Sequence, residues 1–115
     1  MTDPKTGAPE ALQSLLEVDR LVHEPARLAI LTVLAAAEEV QFTFLEQVLG
    51  LTRGNLSSHV GKLEDAGYLT VTKAFEERTP VTRYQITGKG RKALENYRRQ
   101  MLLSLSRPKG PGTGG

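Results

Sequence analysis

The segment from residue 52 to residue 67 holds side chains that could either catalyse a reaction or bind a polar ligand. Ser57, Ser58 and His59 are consecutive there, and a serine hydroxyl activated by a histidine is a common nucleophile. Neighbouring residues of a helix do not face each other, however, and no acidic residue is placed to orient the histidine. We therefore predict no catalytic serine–histidine pair and no enzymatic activity.

The same segment has the pattern of a helix with one buried and one polar face. Thr52 can cap a helix that runs from about residue 53 to residue 66, and Gly67 can end it. An inward stripe at helical spacing is formed by Leu56, Val60 and Leu63. The polar face and its flanks carry Arg53, Asn55, Ser57, Ser58, His59 and Lys62.

These polar side chains are those that read DNA in the major groove. Asn can pair with adenine, Ser and His can reach base edges, and Lys and Arg can reach guanine or phosphate. An ordinary solvated helix face is the alternative, but such a face more often carries Glu and Lys, which are better helix formers. The sequence therefore favours a DNA-recognition helix.

The elements before this helix complete a helix-turn-helix. Pro25 fits the first turn of a helix whose apolar residues nearly encircle it over residues 26–39, which predicts a buried central helix. A short extended piece follows at residues 40–42. Thr43, with Glu46 as its capping-box partner, is predicted to begin the next helix, and Gly50 to end it.

The residues after Gly67 alternate with a period of two, which predicts a β-hairpin. The two strands are expected around Leu69–Phe75 and Arg83–Thr87, on either side of a polar tip with the sequence EERTP. A hairpin directly after a recognition helix is a wing, here at about residues 75–82. Its expected contacts with the DNA backbone or minor groove are Arg78, Thr79 and Arg83.

Two further amphipathic helices are predicted, one from Ala11 to Val22 and one from about Gly90 to Leu105. A chain of this size can scarcely cover their apolar stripes, and exposed stripes usually mark an interface. We expect a homodimer interface made by Leu12, Leu15, Leu16, Leu94, Tyr97, Met101, Leu102 and Leu105. The alternative is that both helices fold back onto their own domain.

Composition and charge set the limits of these predictions. The 115 residues suffice for one domain at residues 11–105, between a flexible arm at 1–10 and a disordered tail at 106–115. Residues 1–50 hold three Lys or Arg against eight Asp or Glu, a net charge of −5, whereas residues 51–115 hold twelve against five, a net charge of +7. The basic half is where a polyanion would bind, and a solvated surface of scattered Lys and Arg is the alternative.

The absence of cysteine excludes disulfides and thiolate metal sites, and nothing in the sequence indicates a signal peptide or a membrane span. His23 and Glu24 could contact a metal, but with two histidines in the chain a structural role is favoured. We expect a cytoplasmic protein without a metal, a cofactor or a membrane partner.

Taken together, residues 21–102 resemble the winged-helix regulators of the MarR and ArsR type. The resemblance rests on HEPARLAILTVL, FTFLEQVLGLTRGNLSSHVGKLEDAGYL and KAFEERTPVTRYQITGKGRKAL. It implies a homodimer that reads a pseudo-palindromic operator in double-stranded DNA. The chain lacks the cysteine pair of the metal-sensing members and is shorter than typical ligand-sensing members, so no particular small-molecule effector is predicted.

The expected fold is mainly α with a small β-hairpin (α+β), a winged helix-turn-helix with flanking dimerisation helices. The expected function is sequence-specific DNA binding in transcription regulation. A winged-helix module that docks on another protein is the alternative, since the same fold also serves that role. Steep loss of affinity with salt would distinguish DNA binding from apolar docking.

Overall fold

The computed structural model describes residues 12, 13 and 16–105. Its elements, in chain order, are α1 (Pro25–Ala36), β1 (Val40–Gln41), α2 (Phe42–Leu49), α3 (Arg53–Asp65), β2 (Leu69–Glu76), β3 (Thr79–Ile86) and α4 (Gly88–Leu105). The three strands form one antiparallel sheet in the order β1-β3-β2. The predicted α+β winged helix is confirmed. The predicted arm at residues 1–10 and tail at residues 106–115 lie outside the described residues.

Helix α1 begins as predicted at Pro25. Proline fits this position because an N–H in the first turn would have no partner within the helix. The carboxylate of Glu24 accepts a hydrogen bond from the backbone N–H of Arg27 at 2.8 Å and so caps the helix. The helix lies at the centre of the core, which every other described element of regular structure helps to form. Its fully buried side chains are Ile30, Leu31 and Leu34.

The first predicted helix, from Ala11 to Val22, ends earlier than expected. The backbone is helical at residues 12, 13 and 16, but residues 17–24 form turns and bends. The carboxylate of Asp19 accepts hydrogen bonds from the backbone N–H groups of Leu21 at 2.9 Å and Val22 at 3.4 Å. A local side chain that binds these N–H groups replaces the helical hydrogen bonds, and the chain turns.

Asp19 also joins this turn to the rest of the domain, because its second oxygen accepts a hydrogen bond from the Tyr68 hydroxyl. Burial raises the pKa of Tyr68 to about 12, and the hydrogen bond and the charge of Asp19 act in the same direction. The hydroxyl therefore stays a donor at every physiological pH.

The predicted capping box at Thr43 and Glu46 is wrong. Helix α2 begins one residue earlier, at Phe42, and its N-cap is Gln41, whose side chain makes no capping hydrogen bond. Pairing with Arg83 of β3 holds Gln41 in an extended conformation, so the helix starts directly after it. Glu46 forms an ion pair with Arg53 instead.

The hairpin strands are longer than predicted, and its turn is shorter. Glu76 pairs with Thr79, so the turn consists of Glu77 and Arg78 alone rather than the five residues EERTP. Both residues have positive φ angles, 52° and 69°. Two central residues with positive φ match the right-handed twist of the strands, and this geometric requirement prevails over the side chains' own preference.

Helix α4 begins two residues before the predicted Gly90, because Thr87 caps it and accepts the Gly90 N–H at 3.0 Å. Gly90 lies so close to the connection between α3 and β2 that a Cβ there would stand 2.1 Å from the carbonyl oxygen of Tyr68. Only glycine allows this approach. The contact fixes α4 against the end of α3, and α4 also packs along α1.

Candidate nucleic-acid interface

The turn between α2 and α3 sets the direction of the candidate recognition helix. Gly50 ends α2 in the left-handed conformation with φ 64°, and the backbone N–H of Asn55 donates to the Thr52 side chain at 3.1 Å, as the sequence predicts. The inward stripe is buried against the rest of the core and consists of Leu56, Val60 and Leu63. The helix is thus held by one face and exposes the other.

The exposed face of α3 carries four of the predicted contact residues, Asn55, Ser57, Ser58 and Lys62. Two glycines that the sequence analysis did not single out, Gly54 and Gly61, share the outward side with Ser58 at helical spacing. A Cβ at either glycine would meet nothing within 4 Å, so packing inside the chain does not require them. The outward face therefore carries few bulky side chains, and a ligand can approach the helix backbone closely.

Arg53 stands at the start of α3, where its side chain is 72% exposed. A terminal guanidinium nitrogen lies 3.1 Å from the Glu46 carboxylate, and the guanidinium lies 5.3 Å from the centre of the Phe42 ring. The two contacts orient the cation without burying it.

His59 is placed differently from the other predicted residues of α3. Its side chain is 19% exposed, and its Nδ1 lies 3.2 Å from a terminal nitrogen of Arg27, which can only donate. Arg27 also donates from Nε to the carbonyl oxygen of Leu21 at 2.6 Å. His59 therefore links α3 to the start of α1. The two residues are 32 positions apart, and no local sequence pattern predicts their contact.

The Glu24 carboxylate completes this link at 3.9 Å from His59 Nδ1. Burial acts to raise the pKa of Glu24, but the hydrogen bond from the Arg27 N–H and the charge of Arg27 together lower it. Glu24 is therefore ionised at neutral pH, and it balances the positive charge of Arg27.

The wing places its three predicted contact residues in two settings. Arg78 and Thr79 are exposed at the tip. Arg83 lies in the middle of β3, and its Nε is 3.4 Å from Glu39 while a terminal nitrogen donates to Glu76. The Glu76 hydrogen bond raises the pKa of Arg83 above its ordinary value.

A cleft of about 310 Å³ separates the wing from the helix-turn-helix. Residues 79–82 of β3 line one side, and the start of α2 with Arg53 lines the other. Arg53 and Thr79, which belong to different elements, thus line the same cleft. A ligand bound at the start of α3 would therefore also lie next to the wing.

The other candidate sites are accounted for by contacts inside the chain. His23 Nδ1 lies 2.8 Å from the Tyr97 hydroxyl, so this side chain joins the turn before α1 to α4. No group of three His, Asp or Glu residues that could hold a metal occurs in the part of the chain that the structure describes. None of the described helices is long and apolar enough to cross a membrane.

The predicted dimer residues fall into four groups. Leu94 and Tyr97 are core residues, 1% and 7% exposed in the single chain, so their assignment to an interface is wrong. They are buried because α4 packs on α1 and joins the common core. Met101 is half-buried and Leu15 lies outside the described residues. The exposed members are Leu12, Leu16, Leu102 and Leu105, and Leu103, which was not predicted, is exposed as well.

Known proteins agree with this architecture. The chain is 35% identical over 83 residues to an uncharacterized protein of Methanocaldococcus jannaschii, which spans 72% of this chain and 90% of the relative. A solved structure of a transcriptional regulator homologue from Pyrococcus horikoshii superposes with a TM-score of 0.73 at 29% identity. It covers 80% of this chain and 90% of that one.

Two more distant structures share the fold. They are the YusO protein of Bacillus subtilis, with a TM-score of 0.60 at 16% identity, and a MepR-like protein complexed with pseudoligands, with a TM-score of 0.58 at 19% identity. They cover 82% and 79% of this chain, and the chain covers 64% of each. The sequence profile of the winged helix DNA-binding domain matches residues 26–103, and the chain belongs to that family.

Proposed function

We propose that the protein is a cytoplasmic transcription regulator that binds double-stranded DNA as a homodimer, with α3 in the major groove and the wing on the adjacent backbone or minor groove. The observation that carries this proposal is the outward face of α3. It combines exposed hydrogen-bonding side chains with two glycines at which an added Cβ would meet nothing within 4 Å in the described part of the chain. Small side chains let a helix enter the groove deeply enough for short polar groups to reach base edges.

The residues of α3 take separate roles in this proposal. Asn55, Ser57 and Ser58 read base edges, while Lys62 and Arg53 contact phosphate or guanine. His59 can reach a base only by leaving Arg27, so its first role is to hold α3 at the angle that α1 sets. On the wing, Arg78 and Thr79 contact the backbone directly from the tip.

The homodimer rests on the apolar residues at both ends of the described chain. Leu16 is 75% exposed before the turn that precedes α1, and Leu105 is 75% exposed at the end of α4. A two-fold partner would cover both ends isologously and would set two recognition helices about 34 Å apart, one turn of DNA. Dimerisation and recognition of a pseudo-palindromic operator then depend on each other.

Selection of bound fragments from random duplex DNA tests the DNA-binding proposal. We expect one enriched pseudo-palindromic sequence. The affinity for it should fall steeply with salt, and the plot of log affinity against log salt concentration should have a slope of about −0.9 for each phosphate contacted. A folded protein that enriches no sequence, and whose DNA affinity is insensitive to salt, would contradict it.

Sedimentation velocity tests the dimer. The double variant Leu16→Asp with Leu105→Asp should fold, because both changes are at exposed positions. The charges should separate the two protomers, and the monomer should bind the selected operator weakly. Val48→Asp, which places the same charge on the 52%-exposed Val48 of α2, is the matched control and should remain a dimer. A parent protein that is monomeric at micromolar concentration and still binds the operator tightly would contradict the dimer.

Docking on another protein is a second candidate function, and one observation favours it. Phe44 and Val48, four residues apart on α2, are both about half-exposed. Apolar side chains on one helix face can serve a protein partner. Phe44→Ser with Val48→Ser should leave operator binding unchanged, whereas a docking function would lose its partner without any change in the salt dependence of DNA binding.

A further inference from the structure

The guanidinium of Arg83 is held between two carboxylates that come from different parts of the fold. Its Nε lies 3.4 Å from Glu39, in the connection between α1 and β1, and a terminal nitrogen donates to Glu76, the last residue of β2. The side chain is 22% exposed, so it lies along the protein surface and does not extend into solvent. The sequence places Glu76 and Glu77 at the wing tip, where their charges oppose DNA contact, but it does not predict an ion pair of Arg83 with Glu76 or Glu39.

The register of the hairpin explains this arrangement. Arg83 is paired with Thr72 of β2, and Glu76 lies four residues further along β2, on the same face of the sheet. The residue between them on that face is Ala74, whose small side chain leaves room for a long one to lie across it. Arg83 therefore extends along the hairpin towards its tip.

The charges of this cluster oppose DNA binding. One guanidinium against two carboxylates leaves a net charge of −1 on this cluster, which lies on the wing next to α3. A phosphate that approaches Arg83 meets this negative charge before any hydrogen bond can form. The guanidinium can bind a DNA phosphate only when one of the two carboxylates releases it.

We propose that Glu76 holds Arg83 in reserve and that a DNA phosphate displaces it from the guanidinium, an inference that rests on the proposed DNA-binding function. The Glu39 contact to Nε is kept, so Arg83 stays directed along the hairpin while its terminal nitrogens exchange carboxylate for phosphate. A guanidinium binds phosphate through two parallel hydrogen bonds, which is the geometry that the terminal nitrogens offer. Glu76 thus lowers the affinity of the wing for any DNA and limits sequence-blind binding.

The matched variants are Glu76→Gln and Glu77→Gln, which remove the same charge from neighbouring positions. Glu77 makes no ion pair with any residue in the described part of the chain. Each change is also made in an Arg83→Ala background, which completes a double-mutant cycle. Binding to the selected operator and to a scrambled duplex is measured at several salt concentrations, and thermal unfolding verifies that each variant is folded.

We expect Glu76→Gln to strengthen binding to both duplexes by about two- to five-fold, the size of an exposed ion pair. Its logarithmic salt slope should steepen by up to about 0.9, because one further phosphate is contacted. Glu77→Gln should have a smaller effect, and the difference between the two variants should vanish in the Arg83→Ala background.

Three results would overturn the inference while leaving DNA binding intact. Equal effects of the two glutamine variants would mean that only net charge matters. A gain from Glu76→Gln that survives Arg83→Ala would mean that Arg83 is not the cation released. A loss of affinity in Glu76→Gln would mean that Glu76 positions Arg83 for DNA. A parent protein that binds neither duplex would overturn the proposed function and this inference together.

Discussion

Helix α3 and the wing differ in how many of their proposed DNA-contacting side chains are already bound to other residues of the chain. The helix α3 is anchored by buried side chains, and its exposed Asn55, Ser58 and Lys62 have no side-chain bond to any described residue. The wing projects beyond the core, and Arg83 is already bound to carboxylates. Under the proposed function, Asn55, Ser58 and Lys62 can reach DNA without rearrangement, whereas Arg83 must exchange contacts inside the chain for contacts with phosphate.

The largest expected difference between the two regions is in stability. Leu56→Ala should lower the free energy of unfolding by about 2–5 kcal/mol, because it leaves a cavity beneath α3. Phe75→Ala, a large-to-small change in β2 where the side chain is 77% exposed, should cost less than about 1 kcal/mol. Chemical denaturation measures both values. Similar losses would show that the wing is packed as firmly as the helix.

Base reading should separate α3 from a general basic surface. Asn55→Ala and Ser58→Ala should each weaken operator binding by about 1–3 kcal/mol and relax the sequence preference, because each removes a base contact. Lys62→Ala is the control on the same face, and it should weaken operator and scrambled duplex alike with a flatter salt slope. Losses that are equal for all three variants and independent of sequence would contradict base reading by this helix.

Gly61→Ala should move stability and DNA affinity in opposite directions. A Cβ at this position meets nothing within 4 Å, so the alanine should stabilise the helix by about 0.5–1 kcal/mol. The added methyl group should weaken operator binding, because it stands on the face that enters the groove. Thermal unfolding and operator titration measure the two effects. Unchanged affinity together with raised stability would show that the DNA does not approach this part of α3.

The smallest expected effect is at the wing turn. Glu77 has a φ of 52°, a conformation that asparagine adopts more easily than glutamate. Glu77→Asn should therefore stabilise the protein by about 0.5 kcal/mol. Glu77→Gln removes the same charge without this preference and should leave the unfolding midpoint unchanged. Equal shifts in both variants would trace the effect to charge and not to the backbone.

Much of the fold could be predicted from the sequence, because its signals are local. Pro25 and Thr52 mark helix starts, Gly50 and Gly67 mark helix ends, and the change of period after Gly67 marks the hairpin. Each depends on the conformation of one residue or on hydrogen bonds within about four residues. The exposed residues of α3 followed from the same helical spacing.

Two of the errors come from contacts between distant parts of the chain. Pairing with β3 moved the start of α2 away from Thr43, and packing on α1 turned Leu94 and Tyr97 into core residues. Helical periodicity shows which residues share a face, but it does not show what covers that face.

The sequence by itself determined the elements from α1 to α4, their order and, His59 apart, which of the predicted contact residues of α3 face outward. Only the tertiary structure decided that His59 binds Arg27 and that Arg83 binds Glu39 and Glu76. The physical reason is range. Backbone conformation and periodicity act over a few residues, whereas an ion pair forms wherever folding brings opposite charges together, and neither partner has a sequence signal for the other.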